Sequence, residues 1–292
     1  MDVVIQIIAS GLTLGAMYAV STVGLSLVYG SLNMLNMAHG ALLALGGYIC
    51  FYTMTALGMP APVGVLAAVI VCGLVGLLIY VSTAAPMLGG PQFETRIFIA
   101  TIGFGAVVEN IILRLFGPQP SPQPLKLSGD IVVGNVHIPN QNLFILAVAL
   151  ALMAGVALLL KRSRLGRAIR ATAQNREAAQ LMGVRVGQIY AIVLALSGGL
   201  AAVSGIMVSS LSSLLPNMGG DPMLKAFIIC IVAGLGNVTG AVIAAIALGL
   251  LEAIAQYSLG VQYSFALLLL LVIAVLIWRP YGLFGKRQVV RL

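Results

Sequence analysis

Apolar stretches of about 20 residues, the length that crosses a bilayer as a helix, recur along the whole chain. They fall at residues 4–29, 36–57, 63–84, 96–116, 142–160, 188–209, 224–255 and 263–278, separated by charge, proline or small polar clusters. No ten-residue alternation of polar and apolar side chains is present, so a transmembrane β-barrel is not expected. Helices are then the remaining way to satisfy backbone groups in lipid. The seventh run is too long for one helix and holds Gly234, Gly236, Asn237 and Gly240 close together. That cluster predicts a break, giving two short helices or a re-entrant pair. The expected fold is an all-α polytopic membrane protein of about eight transmembrane helices, with a range of about seven to nine, in a single domain over residues 1–292.

Composition sharpens this reading. Of the 292 residues, 61% are hydrophobic and 8% charged, where a soluble domain carries roughly a quarter charged residues. Between Asp2 and Glu94 there is no Asp, Glu, Lys or Arg at all. The net charge of +8 does not point to nucleic acid, because the basic residues gather in two places. Lys161, Arg162, Arg164, Arg167, Arg170, Arg176 and Arg185 share one connection, and Arg279, Lys286, Arg287 and Arg291 form the C-terminal end. The positive-inside rule puts both clusters on the cytoplasmic side. A cytoplasmic loop at 161–187 makes the preceding connection, 117–141, external; its Pro118, Pro120, Pro122, Pro124 and Pro139 predict an extended, partly polyproline cover. Counting back places the N-terminus outside, on a retained first helix rather than a cleaved signal. Counting forward to a cytoplasmic C-terminus requires the broken seventh segment to cross twice. Cys50, Cys72 and Cys230 lie inside apolar runs without metal-ligand spacing and read as small buried hydrophobes. No metal or cofactor site is expected.

Four features are candidates for function. In SLNMLNMAHGA (residues 31–41), Asn33, Asn36 and His39 recur at i, i+3 and i+6, roughly one side of a helix. Polar groups at membrane depth must pair or line a wet cavity, so the stripe reads either as a path lining or as a tight cytoplasmic turn. In GLGNVTGA (234–241), Asn237 and Thr239 sit at the second break, whose ending is similar to that of the first. Paired interruptions point to a translocation path and an internal repeat; close packing through Gly236 and Gly240 is the structural reading. Glu109 and Glu252 are isolated acids in or near predicted spans, with an interfacial arginine such as Arg114 as a possible partner. The fourth feature, GRAIRATAQNREAAQLMGV (166–184), favours a short amphipathic helix outside the membrane. It reads as resting on lipid headgroups or as docking a soluble partner.

The chain resembles the LivH-type permease subunit of bacterial ABC importers for branched-chain amino acids over nearly its whole length. The matching stretches are GLTLGAMYAVSTVGLSLVYGSLNMLNMAHGALLALGGY, GRAIRATAQNREAAQLMGV, KAFIICIVAGLGNVTGAVIAAIALGLLE and RPYGLFG. Glu177, Ala178, Ala179 and Gly183 are similar to the EAA-x-x-x-G coupling motif of such permeases, without its usual continuation toward Leu-Pro. The resemblance implies a fold like the type II importer transmembrane domain in the bacterial inner membrane. It implies as partners a second homologous permease, two cytoplasmic ATP-binding subunits and a periplasmic solute-binding protein. ATPase coupling would then fall to Arg167, Arg170, Glu177, Ala178, Ala179 and Gly183, and the path to Asn33, Asn36, His39, Asn237 and Thr239. No GxxxxGK[ST] phosphate loop occurs, so the chain is not expected to be an enzyme and ATP hydrolysis would belong to another polypeptide. Alternatives are an importer permease for urea, amides or small carboxylates, and an ion-coupled secondary transporter using Glu109 or Glu252.

Overall fold

The computed structural model describes residues 2–133 and 136–285. Lys286, Arg287 and Arg291, expected on the cytoplasmic side, lie outside the described residues. The helices are α1 (Asp2–Leu32), α2 (His39–Thr55), α3 (Ala61–Met87), α4 (Phe93–Phe116), α5 (Asn140–Arg162), α6 (Arg164–Gln174), α7 (Arg176–Leu181), α8 (Val186–Leu211), α9 (Gly220–Ala233), α10 (Val238–Leu259) and α11 (Val261–Trp278). Seven of these described helices, all but α2, α6, α7 and α9, are long and apolar enough to cross a membrane. The fold is polytopic and helical, as the apolar runs predict.

The expected break in the seventh run is present, and its reason is local. Gly234 and Gly236 have φ of +95° and +82°, in the left-handed region that favours glycine. Gly234 also packs against the backbone of Gly285 and Tyr281, where a side chain would collide. The run therefore divides into α9 and α10. At about 1.5 Å per residue, the 14 residues of α9 reach only about two-thirds of the way across a ~30 Å hydrocarbon core. In α3, residues 80–84 form a π-turn just before Pro86, which has no N–H to continue the regular ladder.

Helix α1 is the centre of the bundle, packed by α5, α8, α9 and α10. Its small residues permit close approach: Gly15 meets the backbone of Ile246 and Gly249, and Gly11 meets Leu250. Helix α8 stands in the same relation to α3 and α2. There Gly76 and Gly198 meet the backbones of Leu194 and Cys72, and Gly205 meets that of Leu43. In each set one long neighbour runs antiparallel, α10 on α1 or α3 on α8, and one shorter neighbour runs parallel, α9 on α1 or α2 on α8. Helices α1 and α8 are themselves antiparallel, since Met17 lies beside Ser204 and Gly24 beside Ser197. The chain thus contains two α-helical units of like plan and opposite direction, beginning at α1 and α8. In this repeat the counterpart of residues 33–38 is the stretch before α9, not the glycine break at 234–237. The likeness between the two sequence interruptions therefore does not follow the repeat. It joins residues that share one end of the molecule, where Gly30 packs on Gly236.

The segment between α4 and α5 is less irregular than its prolines predict. β1 (Ser121–Pro122) pairs antiparallel with β4 (Ser213–Leu214), and β2 (Asp130–Val133) pairs with β3 (Val136–Pro139), where the exposed side chains of Asp130 and His137 are hydrogen-bonded. Two buried amides tie this cover to the bundle. Gln123 Nε2 donates to Ser209 Oγ at 3.0 Å and to Gly47 O at 3.4 Å. Gln141 Nε2 donates to Ser210 Oγ at 2.9 Å, while its Oε1 accepts from Leu127 N at 2.8 Å.

Candidate functional site

The arginine-rich connection folds into a rigid elbow. Ser163 accepts a hydrogen bond from Gly166 N at 2.8 Å and so caps α6. Gly166 is seated on the backbone of Leu159 and Leu160, while Ile169 and Thr172 are buried beneath the helix. Asn175 ends α6 and opens α7, its Oδ1 accepting from Ala178 N at 2.9 Å. Gly183, at φ +83°, reverses the chain, and Val184 N donates back to Ala179 O at 3.0 Å. Ala179 is the buried foot of this turn. Its crest is Leu181 and Met182, 88% and 85% exposed. Arg167, Arg170, Glu177, Ala178 and Gly183 are also exposed. Two adjacent apolar side chains thus stand exposed on a charged elbow.

Grooves flank the elbow on both sides. One, of about 620 Å³, is lined by residues including Asn33, Glu94, Gln174 and Arg176. The other, of about 950 Å³, is lined by Lys161, Arg170, Asn237 and Thr239 at its polar end and by Met153, Val242 and Ile246 elsewhere. Asn237 is structural as well: its Oδ1 caps α10 through Gly240 N at 2.9 Å, and its Nδ2 donates to Phe284 O at 3.0 Å.

The proposed path residues therefore occupy three places. Asn33, at φ +51°, faces the first groove, and Asn237 and Thr239 the second. Asn36 and His39 are sealed in the core, 1% and 0% exposed. There Asn36 Oδ1 accepts from Ala38 N at 3.2 Å, Thr101 Oγ1 accepts from Met37 N at 3.1 Å, and His39 Nδ1 lies 3.4 Å from Ser197 Oγ. These bonds fix the non-helical entry into α2. Asn36 Nδ2, His39 Nε2 and the hydroxyls of Ser21 and Ser26 are buried and have no hydrogen-bond partner among the described residues.

The acids resolve differently from the sequence reading. Glu252 pairs with Lys225, not with an arginine: Lys225 Nζ lies 2.6 Å from Glu252 Oε1 and 2.9 Å from the Tyr18 hydroxyl, and 5.2 Å from the centre of the Tyr18 ring. Gln256 Nε2 donates to the same Glu252 oxygen at 3.1 Å. Lys225 lies inside a run read as apolar, and its spacing from Glu252 carries no local signal. Glu109 lies in a cleft of about 480 Å³ with Asn110 and Asn217.

A family model described as "Branched-chain amino acid transport system / permease component" matches residues 7–277. The chain is 31% identical to the high-affinity branched-chain amino acid transport system permease protein BraD of Pseudomonas aeruginosa, over 98% of this chain and 97% of that protein. It is 27% identical to the corresponding permease protein LivH of Escherichia coli, over 98% and 96%. Among solved structures, PsaBC from Streptococcus pneumoniae in complex with Fab matches with a TM-score of 0.50 at 14% identity, covering 92% of this chain and 89% of that one. That match concerns the fold alone.

Proposed function

The chain belongs to the family of branched-chain amino acid transport permease components, and from that premise we propose that it is the membrane-spanning part of an ATP-driven importer. It is a transport component and not an enzyme. Its solute is a branched-chain or related amino acid, handed over by a periplasmic binding protein. It works with a second permease of the same kind and two cytoplasmic ATP-binding subunits. The N-terminus is outside and the elbow is cytoplasmic, in keeping with the cationic residues collected between Lys161 and Arg185.

The observation that carries this reading is the elbow's crest. Leu181 and Met182 are nearly fully exposed on a turn whose own backbone is well tied, so they are held out for a partner. Glu177, Ala178 and Gly183 shape that turn, and Arg167 and Arg170 lie on the exposed side of α6. Because the binding protein selects the solute, the path need not hold it tightly. Of the two acids that the ion-coupled alternative would use, Glu252 is already paired with Lys225 at 2.6 Å, which weakens that reading.

The test is a complete importer reconstituted in vesicles. Gly183→Leu, which places a side chain at φ +83°, and Glu177→Arg are each expected to abolish solute-stimulated ATP hydrolysis and uptake at an unchanged amount of inserted permease. Full coupling in both variants would overturn the docking assignment.

A further inference from the structure

The described helices carry charge at a depth where lipid does not tolerate it. Tyr18 stands at the middle of the 31-residue α1, roughly 20 Å from either end at about 1.5 Å per residue. Lys225 reaches this level, its Nζ 2.9 Å from the Tyr18 hydroxyl, with 19% of its side chain exposed. One turn earlier on the same helix, Asp221 is exposed, and no salt bridge among the described residues includes it. Asn217, four residues before Asp221, is exposed too and shares its cleft with Glu109 and Asn110 of α4. Asp221 and Lys225 lie one turn apart on α9, and Asn217 lies in the turn just before that helix, so polar groups extend from that cleft to the level of Tyr18. An ionised side chain facing hydrocarbon at mid-depth is strongly disfavoured. The face of α9 that bears Asp221 and Lys225 therefore does not face lipid.

We propose that these groups form the solute-contacting wall of the translocation path and that this wall takes a zwitterion. The inference rests on the permease reading above. An ammonium has three donors; Lys225 gives one to Glu252 and one to Tyr18, leaving a third for a carboxylate. Asp221, about 5–6 Å away between Cβ atoms at i, i+4 spacing, accepts from an ammonium. The two charges suit a molecule that carries both groups on one carbon. Glu252 holds Lys225 through one oxygen only; its second oxygen is buried and has no hydrogen-bond partner among the described residues. The site is weak by construction, since Glu252 already answers the lysine's charge and the solute carboxylate meets only its third N–H.

Leu224, 46% exposed and beside Lys225, is the reporter. All three native cysteines are buried, so Leu224→Cys supplies one accessible thiol. In the reconstituted importer during turnover, that thiol is expected to react with a membrane-impermeant thiosulfonate reagent. L-Leucine at saturating concentration should slow the reaction at least threefold, and isoamylamine, which lacks the carboxylate, should not. Asp221→Asn should lower leucine uptake per ATP hydrolysed at least tenfold, with partial recovery in Asp221→Glu. A thiol that stays unlabelled, because lipid or a second subunit covers the face, overturns the proposal. So does labelling indifferent to leucine. Failure of the unmutated complex to couple ATP hydrolysis to uptake would instead count against the permease reading itself.

Discussion

Gly40 and Gly219 meet backbone to backbone: a Cβ added at Gly219 would overlap the carbonyl of Gly40. This contact joins the start of α2 to the start of α9, the two short helices of the opposed repeats. Backbone cannot turn aside as a side chain does, so Gly219→Ala should force the two units apart. A loss of about 1–3 kcal/mol, the usual cost of overpacking, is expected as a lower unfolding temperature in detergent. Gly220→Ala, where a Cβ meets nothing within 4 Å, should leave the temperature nearly unchanged.

The pair Lys225–Glu252 should behave as a buried ion pair does. Glu252→Gln leaves the ammonium with poor company and is expected to cost about 3–5 kcal/mol. Replacing both, as Lys225→Met with Glu252→Met, should recover most of that loss, because no charge is left unanswered. Thermal unfolding of the single and double variants measures the coupling directly.

Gln141 makes bonds to both the cover and α8. Gln141→Leu keeps the bulk but takes the acceptor from Leu127 N and one partner from Ser210 Oγ, which keeps its bond to Met207 O, at about 0.5–1.5 kcal/mol for each bond lost. The expected result is faster proteolysis within residues 117–139, with cleavage elsewhere unchanged.

At the elbow, Asn175→Ala removes the acceptor for Ala178 N, a cap of about 1 kcal/mol. Leu181→Ser with Met182→Ser removes apolar surface without touching any cap. The first should weaken ATPase coupling partially, through disorder of α7. The second should weaken it more while leaving thermal stability unaffected. Solute-stimulated ATP hydrolysis set beside unfolding temperature separates the two.

Much of this architecture is legible in the sequence because lipid imposes a length. The expected runs at 96–116, 142–160 and 188–209 match α4, α5 and α8 to within about three residues at each end. The glycines at 234 and 236 locate the break, since only a left-handed turn lets the chain re-enter there. The start of α9 is not legible, because Lys225 interrupts the apolar pattern once and its partner lies on another helix. Prolines at 118–124 announce extended chain, but whether that chain pairs depends on Ser213 and Leu214, far along the sequence. The elbow shows its composition early; which of its residues stand free depends on α6 resting on α5, a matter of tertiary contact.

The seat of Gly166 on the backbone of Leu159 and Leu160 has a mechanical consequence. With no linker and no compressible side chain between α5 and α6, the elbow is a crank keyed to its shaft. If the crest near Leu181 is where a partner pushes, as proposed above, the displacement is expected to reach α5 as rotation and, through Val184, the foot of α8.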